Sequence, residues 1–161
     1  MSHKVIRNTL IGLEVLVCIA AIYGSVSLLV DAAGFGVDDE WMRGSPFTNY
    51  QIPALSLLVG VGGSSLLAAG ALLRRRSQLG TLFSIGAGVS LVSFEIAEAH
   101  VIGLRNFQQP LMFVVGVLIA SFGAMLLNAN TVREQSVTAK LDTYSNTARI
   151  SSAMKEHSSK T

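Results

Sequence analysis

Three groups of residues in this chain could carry chemistry. Glu14 is the single charge between Thr9 and Val30, a run of 22 residues. A lone carboxylate in such a run suits proton exchange or the binding of a cationic solute. Glu95 and Glu98 stand at i, i+3, which places both carboxylates on one face of a helix. His100 follows Glu98 by two residues, about 200° round the helix, and so points to nearly the opposite side. The third group is the acidic run Asp38-Asp39-Glu40. Together with Asp31, Glu95 and Glu98 it would make one end of the molecule acidic. A cation would bind there if loop and helix brought two or three carboxylates together. The spacing does not demand this: a solvated rim, or one paired with Arg105, satisfies the same residues. No metal or other cofactor is implied.

Other chemistries lack their residues. Cys18 is the sole cysteine, so one chain can form neither a disulfide nor a C-x-x-C redox pair, and thiol-based quinone reduction is excluded. There is no H-E-x-x-H, G-x-S-x-G or Walker sequence. The glycine run Gly60, Gly62, Gly63 follows no strand and precedes no Lys-Ser/Thr pair, so it is not a phosphate loop. A protein that is not an enzyme is expected.

The elements that must position these residues follow from hydropathy. Of 161 residues, 50% are of the AVILMFWYC set and 14% are charged, where a soluble protein has about 25% charged; mean hydropathy is +0.52. Apolar spans run over about 9–30, 52–73, 78–104 and 108–128. A helix rises 1.5 Å per residue and the hydrocarbon layer is ~30 Å thick, so about 20 residues cross it. The third span is uncharged from Leu79 to Phe94 and reaches full length with Glu95, Glu98 and His100 at headgroup level. A soluble helical protein would show charged helix faces, and these spans show almost none. A cleaved signal peptide is disfavoured by the length of the first span, by Glu14 and by the lack of an A-x-A site. The fold expected is all-α: a four-helix transmembrane bundle over residues 1–128, followed by a polar tail over 129–161. Its principal partner is the lipid bilayer, and nothing points to nucleic acid.

Ten of the 12 Lys and Arg residues flank the spans on one side: Lys4 and Arg7, Arg74 to Arg76, and five in the tail. Arg43 and Arg105 remain for the other side. The positive-inside rule then puts both termini in the cytoplasm and the loop 31–51 outside, as in a multi-pass protein of a bacterial inner membrane. Glu14 falls roughly 10 Å beyond the inner interface, where a carboxylate costs on the order of 2–3 kcal/mol unless paired or protonated. The expected partner is a snorkelling Arg74 or a polar group such as Asn128. Glu95 lies roughly 28 Å above Arg76, so the two glutamates are roughly 18 Å apart in depth and do not pair.

Each span also carries a seam of small residues for close helix contact. The seams are Glu14, Cys18, Ala21 and Ser25; Ser56, Gly60, Gly63 and Gly70; Gly80, Ser84, Ala87, Leu91, Glu95 and Glu98; and Gly116, Ala120 and Gly123. Such seams also permit a homo-oligomer or a membrane-protein partner. Pro53 and Pro110 suit first turns, so spans two and four should begin near Ile52 and Gln109. In the tail, 11 Ser or Thr residues favour a mostly unstructured segment, with a short amphipathic helix through Val137, Leu141, Tyr144 and Ala148 as the alternative.

The loop holds four aromatics, Phe35, Trp41, Phe47 and Tyr50. Trp41, Phe47 and Tyr50 read as interfacial anchors, or alternatively as a cap over a pocket between the helices. With its Gly44-Ser45-Pro46-Phe47-x-x-Tyr50-x-Ile52-Pro53 stretch, basic turn Arg74 to Arg76, late Glu95 and Gln109-Pro110, the chain resembles a set of small, uncharacterised four-span bacterial integral membrane proteins. That resemblance covers roughly residues 9–128 and implies a fold without an activity. Glu14 in a first helix is also similar to the small multidrug-resistance proteins, which exchange protons for cationic drugs at such a group; the long loop and tail depart from that family. The role expected is a non-catalytic accessory or interaction subunit. The alternatives are a small-solute or proton-coupled transporter using Glu14, and an outer-face ligand or cation binder near Glu95.

Overall fold

The computed structural model describes residues 3–31, 46–74, 77–104 and 107–158. Asp38, Asp39, Glu40 and Trp41 lie outside the described residues, as do Phe35, Arg43, Arg75, Arg76 and Arg105. The elements are α1 (His3–Val30), α2 (Gln51–Leu55), a π-helical segment (Ser56–Gly63), α3 (Ser64–Leu73), α4 (Ser77–Ile102) and α5 (Gln108–Ser158). No strand occurs among the described residues. Among the described residues, four helical stretches are long and apolar enough to cross a membrane: His3–Val30, Gln51–Leu73, Gln78–Ile102 and Gln108–Ser145. The chain divides into two compact units, Met1–Leu127 and Asn128–Thr161.

In the first unit the polarity is the reverse of a soluble bundle. On α1 the outward positions are large and apolar, with Ile19 62% and Tyr23 66% exposed. Its inward positions are Leu10, Glu14, Val17, Cys18, Ala21, Gly24 and Ser25. Glu14, Ser25 and several small residues inside, with large apolar side chains outside, is the arrangement that lipid selects. Lipid supplies no hydrophobic force between helices, so contact comes from close backbone approach.

The boundaries have local causes. Pro53 and Pro110 each occupy the third position of a helix, where the missing N–H has no intrahelical role. The Asn49 side chain accepts a hydrogen bond from the Gln51 amide at 3.1 Å and opens α2. At the far end of α4, Gly103 takes a left-handed φ of 75° and donates its amide to the Ala99 carbonyl at 3.0 Å. That is the usual glycine stop of a helix.

The tightest contact joins α4 to α5. A Cβ on Gly88 would lie 2.6 Å from the Ala120 nitrogen and 2.7 Å from the Gly116 carbonyl oxygen, and one on Gly123 would lie 2.8 Å from Ile85. The Gly116, Ala120, Gly123 seam thus makes the close helix contact expected of it, and the partner is α4 at Gly88, outside the expected α4 seam. The expected residues Ser84, Ala87 and Leu91 are also buried. α4 is therefore covered on two faces.

In the second unit the backbone is helical to Ser158. This corrects the expectation of a mostly unstructured tail. Ser and Thr are mediocre helix formers, but extending a nucleated helix avoids the cost of a new nucleus. Val137, Leu141 and Tyr144 are exposed.

Candidate functional site

A cavity of about 330 Å³ opens between the helices at the end where α1 and α4 stop and α2 and α5 begin. Its walls are mostly apolar. Val17, Val61 and Leu91, all buried in the core, close its floor, and Phe47 and Tyr50 stand at its mouth. Two carboxylates, Glu95 and Glu98, reach it from α4, joined by Gln109 from α5. Glu95 is 7% exposed and Gln109 4%. The two carboxylates are close enough to repel each other. The Gln109 amide faces Glu98 and is held by donating Nε2–H to the Gly103 carbonyl at 3.2 Å, so the glycine that stops α4 also positions a lining residue. Glu95 Oε2 has no hydrogen-bond partner.

The expected outer-face group is thus divided. Glu95 and Glu98 converge on the cavity. His100 is exposed and does not line it, in keeping with its angle from Glu98. Asp38, Asp39 and Glu40 are not described, and among the described residues no three His, Cys, Asp or Glu side chains gather as metal ligands. Phe47 and Tyr50 are half-buried at the cavity mouth, the geometry of a cap.

Glu14 lies one turn beneath the floor and does not line the cavity. It is fully buried, and neither of its oxygens has a hydrogen-bond partner. The expected pairing with Arg74 is therefore absent, and Arg74 is exposed; Asn128, the other expected partner, belongs to the second unit. Instead Ser65 of α3 and Ser84 of α4 face the carboxyl. Ser84 belongs to the expected seam; Ser65 does not.

The π-helical segment forms one wall of the cavity through Ser56, Leu57 and Val61. Its widened turn is met at the Gly60 carbonyl, which accepts hydrogen bonds from the hydroxyls of Ser64 and, across to α4 at 2.9 Å, Ser90. A π-bulge amounts to one extra residue in an α-helix. Deleting outward-facing Val59, 69% exposed, should restore α geometry while the residues on either side keep their faces, because the bulge already absorbs the extra residue. The Gly60 carbonyl would then return to its own helix and release the Ser90 hydroxyl. The expected result is a folded, monodisperse protein that keeps Ser56 and Leu57 in the wall and keeps the ligand binding proposed below, measured by size-exclusion chromatography and probe titration.

Compared with protein-family models, curated proteins and solved structures, the chain finds no match. Its own geometry carries the functional reading.

Proposed function

We propose that this chain is a non-enzymatic integral membrane protein that binds a small amphipathic cation in the Glu95 cavity. The observation that carries this reading is an orphan carboxylate oxygen, on a nearly buried Glu95, at the polar end of an apolar cavity. Ligand sites share this build: apolar walls with a few placed polar groups. The walls suit an alkyl or ring body, the Glu95 and Glu98 pair calls for a positive, hydrogen-bonding head, and Phe47, Tyr50 and Phe94 offer aromatic faces to a cation. The bias of ten basic residues to one side supports a cavity opening away from the cytoplasm, with both termini inside. The accessory-subunit reading has no observation of its own, because the exposed helix faces are those that lipid contact alone requires.

The test is equilibrium titration of the protein in lipid nanodiscs with a dansyl-labelled primary alkylamine and with the matching alcohol, each corrected for empty nanodiscs. The amine should bind saturably and about tenfold or more tighter than the alcohol, as one charge-assisted hydrogen bond provides. Ala97→Trp, at an exposed position on the cavity rim, should weaken both. Equal affinities, or no saturable binding beyond that of empty discs, would refute the reading.

A further inference from the structure

Beneath the cavity floor the core holds a second polar site that plays no part in the proposed ligand binding. Glu14, Ser65 and Ser84 come from α1, α3 and α4, and all three are fully buried. Both carboxylate oxygens and both hydroxyl oxygens lack a hydrogen-bond partner. A serine inside an apolar helix ordinarily donates to a carbonyl one turn back. Ser25 does so to the Ala21 carbonyl at 2.6 Å, and Ser64 to that of Gly60. Ser65 and Ser84 do not, and both face Glu14. Four buried oxygens that make no well-formed hydrogen bond therefore converge from three elements, the two hydroxyls near enough to the carboxyl to interact with it. No basic side chain hydrogen-bonds either Glu14 oxygen. Arg7, two turns back on the same helix, is half-buried, and its buried Nε hydrogen-bonds no group.

We infer that Glu14, Ser65 and Ser84 form an intramembrane site for a small monovalent metal cation of the sodium class. The donors are all hard oxygens, which select alkali and alkaline-earth ions over soft metals. The site has one carboxylate in a low-dielectric interior, so a single positive charge leaves it neutral, whereas a divalent ion would leave an uncompensated charge. The surroundings select for size. Val17 and Leu91 line the cavity whereas Glu14 does not, and Glu14, Ser65 and Ser84 are fully buried, so the site has room for no organic cation. Such an ion would tie α1 to α3 and α4 through one centre, and its binding would stabilise the fold.

Thermal unfolding of the purified full chain, measured in NaCl and in choline chloride at equal ionic strength, tests this, together with direct ²²Na⁺ binding. At 100-fold excess over the dissociation constant, sodium should raise the midpoint by about 5–10 °C. Ser65→Ala and Ser84→Ala should each weaken the response, and Glu14→Gln should remove it. Gly86→Ala, at a position open to lipid, should keep it. Glu95→Gln should also keep it, which separates this site from the amine pocket: either can fail without the other. Equal midpoints in the two salts with no ²²Na⁺ retained would overturn the inference even if Glu14→Gln proved unstable. So would a sodium response that survives Glu14→Gln or is lost with Glu95→Gln.

Discussion

Gly88→Leu is expected to prevent assembly of the four-helix core, and Gly88→Ala to destabilise it by about 2–3 kcal/mol, the upper range for overpacking. The alanine methyl alone would sit 2.6 Å from the Ala120 nitrogen and 2.7 Å from the Gly116 oxygen. Both are backbone atoms, so no side chain can rotate away to make room. α4 and α5 would have to separate, and in lipid that separation gives up the dispersion contacts that hold them together. Gly86 is the control, two residues away on the same helix. A Cβ there meets nothing within 4 Å, so Gly86→Leu should fold and be slightly stabilised by the better helix former. The measurement is the fraction of detergent-solubilised protein that remains monodisperse after heating. Equal behaviour of Gly86→Leu and Gly88→Leu would mean that α4 and α5 do not meet at Gly88.

The contrast between these two glycines marks where the sequence becomes hard to read. Span positions follow from hydropathy because twenty apolar residues have little alternative, and Pro53 and Pro110 locate two helix starts within a residue or so. A seam of small residues, however, describes one face of a helix. α4 lies between partners on two sides, and Gly88 belongs to the second face, hidden from a single stripe through Ser84, Ala87 and Leu91. Ser65 was obscure for a related reason. In a Gly-Ser run a serine is read as bonding back along its own helix, which Ser64 does and Ser65 does not. The π-helical segment has no hydropathy signature: its evidence is the Gly60 carbonyl held by two hydroxyls, one of them thirty residues away in sequence. Phe47 and Tyr50 are aromatic whether they anchor at a headgroup or cap a cavity, and only the path of the chain decides between these. Glu14 and Glu95 were conspicuous because lipid makes every carboxylate conspicuous, but their neighbours depend on helix rotation.

Glu95→Gln should lower the affinity for the alkylamine probe by about 10- to 100-fold, the loss of one hydrogen bond to a charged group, while leaving the matching alcohol within about twofold. Glu98→Gln should cost less, because the Gln109 amide already engages Glu98 whereas Glu95 Oε2 has no partner. Stability should move the other way. Replacing a nearly buried carboxylate that has one unpartnered oxygen with a neutral isostere removes a charge that is expensive to bury, so the unfolding midpoint of the unliganded protein should rise. A carboxylate that served only to hold the helices together would give the opposite pair of signs, a falling midpoint and equal effects on amine and alcohol. Weaker amine binding joined to greater stability is the behaviour of a residue kept for what it binds, since sites retained for function are commonly the ones that cost the fold stability. Measuring both quantities on the one substitution therefore separates a binding role for Glu95 from a structural one.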